Sequence, residues 1–309
     1  MSKFVYIKRH LGGAGKPIYE GYKNAWSSLG YSSVYYDNLS EIDSKEGTYY
    51  LMVNDGDVTD ESAISKVKNS FKTFLYTQPN EFPDPWGKHP NFSCLCPDPI
   101  IKDLNNLENV VTWGFGNTSK FHTKWKKPTY VPLAFDNITY NSMAKKDPKY
   151  KFDICFVGGW ADNGFDEKRK IMVEHFEELQ KLNIKLGISV NQNISTQEEA
   201  NLLFNSKIAI NLHDKYQRVL GLDANERTFK SLGLTGFMIC DSVKEVERLF
   251  PSVPTAETPK KFADLVKLHL DAFEMDRHDG ELENMKSANR KNILDNHTYV
   301  HRVKQMLEL

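Results

Sequence analysis

Between Lys207 and Phe250 two short apolar runs, Ile208 to Leu212 and Phe237 to Cys240, flank a stretch of helical pattern from Asn225 to Leu234. A strand, a crossover helix and a second strand are the repeating unit of a parallel sheet, and few folds accept it other than α/β ones. Polar and cationic residues gather where these two strands end. His213 follows the first, Arg218, Asn225 and Arg227 lie where a loop enters the helix, and Asp241 closes the second. Open α/β sheets bind ligands outside the carboxyl ends of their strands, so the spacing predicts an anion pocket that fits a nucleoside diphosphate.

The same rhythm runs through the rest of the chain. In the first half Lys3 to Lys8, Ser32 to Tyr36, Thr48 to Val53, Thr73 to Tyr76 and Val110 to Trp113 read as strands. Pro17 to Leu29, Glu61 to Phe71 and Ile100 to Leu107 read as helices. Tyr130 to Asp136 reads as a last strand, and the polar, lysine-rich stretch from Asn137 to Lys151 as a linker. A second series opens at Phe152 with F-D-I-C-F-V-G-G-W, followed by a helix from about Asp166 to Leu182. Met172, Phe176 and Leu179 give that helix a core face, and His175 among them reads as a packing residue. Further strands at Ile184 to Val190 and Ile208 to Leu212 enclose a helix from Thr196 to Phe204.

The predicted fold is therefore α/β, two Rossmann-like doubly wound domains facing a cleft. Residues 1–140 form the first domain, 150–285 the second, and 286–309 a terminal helix that crosses back to the first. A chain of 309 residues is long enough for two such cores.

Composition removes several functions. The formal net charge of −1 gives no global field toward nucleic acid or membrane, although a local patch is compatible with it. No apolar run approaches the roughly 20 residues that span a bilayer, and the amino terminus is too polar for a signal-peptide core, so a cytoplasmic setting is expected. Of the four cysteines, Cys155 and Cys240 sit in apolar strands as small hydrophobes, while Cys94 and Cys96 lack the partners that would complete a zinc site.

Between Lys8 and Pro17 lies R-H-L-G-G-A-G-K. A Walker sequence needs a glycine where His10 stands and a hydroxyl where Pro17 stands, so a nucleotide-hydrolysing P-loop is excluded. Gly12 and Gly13 either let a ligand approach the backbone or simply make a tight strand-to-helix turn. In the second half Gly158 and Gly159 end a strand, where phosphates could lie against bare amides, and Arg218 and Arg227 suit bidentate phosphate contact. Asn225 and Thr228 bracket Arg227, and Asn225 is equally a good helix N-cap.

The runs F-D-I-C-F-V-G-G, I-A-I-N-L-H, N-E-R-T-F, G-F-M-I-C-D and H-T-Y-V-H-R together resemble the C-terminal domain of group 1 glycosyltransferases of the CgeB type, which have the GT-B fold. The resemblance covers Phe152 to the end. It implies transfer of a sugar from a nucleoside-diphosphate sugar, UDP-sugar by preference, with the donor held by the C-terminal domain and no metal or permanent cofactor. On that basis Gly158, Gly159, His213, Arg218, Asn225, Arg227, Thr228 and Asp241 are the donor-binding candidates. One departure stands out. Where the family pattern reads R-T-F-E this chain has Lys230, which cannot accept a hydrogen bond from a ribose. Glu226 or Asp241 then replaces the missing carboxylate, Lys230 contacts phosphate instead, or activity is lost.

Sugar transfer calls for a base on the acceptor hydroxyl. His10, after the first strand, is the catalytic candidate, with Asp55 and Asp57 in reserve. From Lys120 to Lys151 eight lysines are interleaved with Phe121, Trp125, Tyr130 and Tyr140, a pattern of either a solvated linker or a polyanion contact. The acceptors in view are surface polysaccharide and modified viral DNA. The alternative is a non-catalytic nucleotide-sugar or polysaccharide-binding protein of the same fold, and Lys230 is its motive. His297 and His301, four apart in one predicted helix, lack a third metal ligand and read as packing and hinge contacts. No oligomeric state follows from the sequence.

Overall fold

The computed structural model describes residues 3–43, 45–88, 92–126, 128–140, 142–160, 167–275 and 280–309. Lys127 of the basic segment and the expected helix start at Asp166 lie outside the described residues. The chain divides into two compact units, one of Met1–Leu133 with Tyr299–Leu309, the other of Ala134–Thr298.

The first unit is a parallel sheet in the order β2-β1-β3-β4-β5-β6. Its strands are β1 (Phe4–Lys8), β2 (Ser32–Tyr36), β3 (Tyr49–Asn54), β4 (Lys72–Tyr76), β5 (Val110–Gly114) and β6 (Thr129–Tyr130). Helices α1 (Gly15–Ser28), α2 (Glu61–Asn69) and α3 (Asp98–Asn105) make the crossovers. The central strand β3 is buried almost throughout, as a strand covered on both faces must be. The strand expected from Tyr130 to Asp136 is cut to two residues. Val131 still donates to Gly114, but Pro132 has no N–H to continue the ladder.

The second unit opens with the short helix α4 (Asn137–Tyr140) and holds a parallel sheet in the order β11-β10-β9-β7-β8. Its strands are β7 (Ile154–Gly158), β8 (Leu186–Val190), β9 (Ile208–Asn211), β10 (Met238–Asp241) and β11 (Thr255–Ala256). Between and after them come α5 (Lys168–Gln180), α6 (Thr196–Asn205), α7 (Lys215–Leu220), α8 (Glu226–Leu234), α9 (Lys244–Leu249), α10 (Pro259–Met275) and α11 (Glu281–Asn296). Met172 and Leu179 of α5 are buried in one cluster with Ile154, Phe156, Ile210, Ile239 and Phe262, and Phe176 packs against it. His175 is buried on the same helix, its Nδ1 2.7 Å from the carbonyl of Ile171.

The expected single terminal helix is two. Helix α11 ends at Asn296, Thr298 forms a parallel bridge with Phe135, and α12 (Tyr299–Leu307) belongs to the first unit. His297 and His301 therefore do not share a helix. The Tyr299 ring lies where a side chain at Gly21 of α1 would have to sit, so that position has room only for glycine. Arg302 donates to the carbonyls of Pro132, at 2.9 Å, and Leu133. The expected linker from Asn137 to Lys151 lies within the second unit, whose first residue is Ala134.

Candidate active site residues

At the carboxyl end of the second sheet, Asn211 at the end of β9 is the organising residue, and the sequence reading missed it. It is fully buried. Its Nδ2 donates to Asn225 Oδ1 and Thr228 Oγ1, both at 2.9 Å, and its Oδ1 accepts from Arg227 Nη1 at 3.0 Å and from Asn225 Nδ2. Asn225 is the N-cap of α8, accepting the backbone N–H of Thr228 at 3.1 Å. Thr228 is likewise buried and supports this network. An asparagine inside the apolar run I-A-I-N-L was the available signal, since a buried amide requires partners.

Arg227 is thereby fixed in place. Its Nε donates to the Val157 carbonyl at 2.7 Å, and its guanidinium lies 4.7 Å over the Phe156 ring. Its Nη2 makes no hydrogen bond within the described residues and lies against Gly158, where a side chain would collide with it. Gly159 is similarly bare because Asn191 Oδ1, which accepts from the backbone of Trp160, occupies the space of a side chain. Glycine at both positions thus brings one guanidinium and open backbone to the end of β7.

His213 and Asp241 are both fully buried and form a dyad, with Nδ1 2.7 Å from Oδ1. Arg218 Nε lies 3.4 Å from the other carboxylate oxygen and its Nη2 donates to the Glu257 carbonyl. Burial opposes ionisation of Asp241, yet His213 and Lys168 beside it hold its carboxyl at about 2. Burial also pushes the His213 ring below its ordinary range, against the pull of Asp241. With the ring neutral near pH 7, its N–H donors and the neighbouring cations, rather than a charge on His213, keep the carboxylate ionised. Lys168, a buried cation that sequence reasoning did not single out, donates to the Leu212 carbonyl and lies 3.7 Å from Asp214. Burial lowers its pKa to about 8. Arg218 also lines a cavity of about 490 Å³ with Lys170, Lys215, Glu174 and Glu257.

Lys230 is not free for a ligand. Its ammonium is 3.0 Å from Glu199 and 3.3 Å from Glu226, and Tyr140 donates to Glu199 at 2.7 Å. The two carboxylates raise its pKa in spite of burial. Lysine here pairs two buried acids.

In the first unit His10, Asp55 and Asp57 line one cavity of about 490 Å³ with Tyr19, Asn54 and Tyr76. His10 stacks on Tyr19 at 4.0 Å between ring centroids, and its Nε2 is 3.3 Å from Asn54 Nδ2. Burial lowers its pKa, with Asp57 opposing and Lys8 assisting. Asp55 is 4% exposed, its carboxyl pushed up to about 6 by burial although the Gln78 N–H donates to it. Asp57 pairs with Lys8 at 3.0 Å. Gly12 and Gly13 are exposed with nothing around them, and Gly13 takes a φ of 59°.

The basic segment is divided by the fold. Lys120 to Leu133 lies in the first unit and the remainder in the second. Trp125 and Tyr140 are buried, so neither ring is presented for stacking, and Lys124 pairs with Asp98 at 2.7 Å. Among the described residues no cluster of three or more His, Cys, Asp or Glu side chains forms a metal site. No described helix is long and apolar enough to cross a membrane.

The profile of the glycosyl transferase-like family matches residues 141–308, more than half of the chain. The chain belongs to that family. A search of curated proteins found no match. Among solved structures, the fold is similar to T4 phage BGT in complex with UDP-glucose, at 12% identity and a TM-score of 0.57, covering 98% of this chain and 97% of that one. It is also similar to an alpha-glucosyltransferase in complex with UDP and a DNA containing an HMU base, at 11% identity and 0.60, covering 100% and 98%. AviGT4, a glycosyltransferase of avilamycin A biosynthesis, matches at 10% identity and 0.52, covering 100% and 96%. T4 phage BGT has also been solved with UDP and Mn2+. At these identities the likeness carries the fold, which is GT-B: two parallel sheets with flanking helices.

Proposed function

We propose that this family member transfers a sugar from a UDP-sugar to a hydroxyl acceptor, and that the acceptor is a hydroxylated base in DNA. The observation that carries the donor half is Arg227: its guanidinium is anchored by Val157 and Asn211, with Nη2 unbonded at the bare backbone of Gly158. A guanidinium fixed before the ligand arrives stabilises the charge that develops on a departing diphosphate. Gly159, the N-terminus of α8 beyond Asn225, and Lys168 add to it. Asn225, Thr228 and Asp241 hold the frame, and His213 and Arg218 flank it. The DNA half is supported by the alpha-glucosyltransferase solved with a DNA containing an HMU base, and polysaccharide is the competing acceptor.

His10 is the group that handles the acceptor hydroxyl in this reading, because it lines the cavity of the first unit and burial favours its neutral ring. The charge of the leaving group is met by Arg227 and Lys168 rather than by a metal, in which case EDTA leaves the rate unchanged. A cytoplasmic setting is part of the same reading. A panel of nucleoside diphosphates and their sugars, screened by the rise in melting temperature, tests the donor site. A rise with UDP and UDP-sugars is expected. No rise with any diphosphate at millimolar concentration overturns the assignment.

A further inference from the structure

Tyr19, Asn54 and His10 form a chain of side-chain hydrogen bonds at the mouth of the first sheet. The Tyr19 hydroxyl donates to Asn54 Oδ1 at 2.7 Å, and Asn54 Nδ2 donates to His10 Nε2 at 3.3 Å. In this arrangement Nε2 is an acceptor, so the ring proton sits on Nδ1. Nδ1 makes no hydrogen bond within the described residues and lies beside Gly15, 2.9 Å from where a Cβ would be. Both His10 and Gly15 line the cavity.

A second arrangement uses the same atoms. If the Asn54 amide turns over, Nε2–H donates to Oδ1 and Nδ2 donates to the Tyr19 oxygen, which accepts as readily as it donates. Nδ1 then carries a lone pair toward the cavity. We infer that the Asn54 amide, turned one way or the other against Tyr19, sets which ring nitrogen of His10 carries the proton, and so whether Nδ1 donates or accepts.

Asn54 is thus a positioning residue, and its use in catalysis rests on the reading of His10 given above. In that step the acceptor O–H proton passes to Nδ1 while the acceptor oxygen bonds to the anomeric carbon. The bond from that carbon to the diphosphate oxygen breaks, and its electron pair leaves with the nucleoside diphosphate. The resulting imidazolium has two N–H groups, and only the turned-over amide offers an acceptor to the one at Nε2. The charged groups that face the ring are Asp57 and Lys8, paired with each other, and Asp55 lines the same cavity.

Nitrogen NMR of the His10 ring in the full chain, without ligand, reads the tautomer directly. The parent is expected to show Nδ1–H when neutral. Asn54→Asp, which presents only acceptors, should move the proton to Nε2 and raise the titration midpoint by about one unit. Asn54→Leu should lower the midpoint and slow transfer about tenfold or more, while the UDP-induced rise in melting temperature in each variant shows that the second unit is intact. The same tautomer and midpoint in all three proteins overturns the inference, whatever the activity. If residue 54 controls the tautomer but the parent transfers no sugar, the transfer reading fails and the Asn54 assignment stands.

Discussion

His213 and Asp241 are joined twice: the ring Nδ1 lies 2.7 Å from one carboxylate oxygen, and the backbone N–H of His213 lies 2.9 Å from the other. The end of β9 is thereby tied to the end of β10, and α7, the helix that carries Arg218 where the sequence suggested a loop, leaves from a fixed point. Both side chains are fully buried, so neither solvent nor salt screens the pair.

This dyad predicts how acid destabilises the second unit. The ring of His213 is held below its ordinary value, so as pH falls through about 6.5 the unfolded chain takes up a proton that the folded ring refuses, and stability drops. Asp241, held at about 2, contributes stability that is present above about 4 and lost as pH falls toward 2, on the order of 2.5 kcal/mol. Asp241→Asn should cost about 3 kcal/mol at pH 7 and flatten the acid limb. Urea unfolding at several pH values measures both. An unchanged acid limb in the variant counts against the dyad.

Arg227→Ala should weaken UDP binding by about 1.5 to 3 kcal/mol, as for a lost charge-assisted hydrogen bond. Because Arg227 also bonds to Val157, Asn211 and Leu212, the fold should lose about 1 to 3 kcal/mol as well. Calorimetric titration at a temperature where the variant remains folded separates the two effects. Full UDP affinity in the folded variant would move the phosphate site elsewhere.

Lys230→Glu restores the residue of the family pattern but places a third carboxylate beside Glu199 and Glu226 in a buried site. It should destabilise by more than about 3 kcal/mol and restore nothing in donor binding. A stable Lys230→Glu protein with tighter UDP binding would show that the lysine occupies a ribose site after all.

Asp55 gives the first unit the opposite pH response. Its carboxyl is pushed up to about 6, so stability is full below about 4 and declines as pH rises through 6, by up to about 3 kcal/mol. Asp55→Asn should therefore be more stable than the parent at pH 8 and no more stable at pH 4. Equal effects at both pH values would mean that Asp55 ionises freely.

Much of this was legible in the sequence because strand periodicity and the polar residues at strand ends are local signals. His213, Arg227 and Asp241 could be placed at the end of a sheet from spacing alone. Lys168 could not, since it looks like an ordinary member of its helix; Asn211 stood out as an amide in an apolar strand, but only the tertiary fold reveals that Asn225, Thr228 and Arg227 are its partners. Pro132 explains the shortened strand at Tyr130, and was itself readable. The break at His297 was not, because Phe135, which Thr298 bridges, is remote in sequence. Lys230 was half legible: Glu226 lies four residues before it in its own helix, but Glu199 comes from α6, remote in sequence.

Sugar transfer is read out by incubation with UDP-glucose and a DNA duplex carrying hydroxymethylated pyrimidines, followed by mass analysis of the nucleosides. A hexose on the modified base, release of UDP in equal amount, and loss of both in Arg227→Ala and His10→Ala are expected. Donor consumed with sugar found only on a carbohydrate acceptor would replace DNA with polysaccharide. No consumption of UDP-glucose or any other nucleotide sugar, with or without acceptor, would rule out sugar transfer and leave a binding protein of this fold.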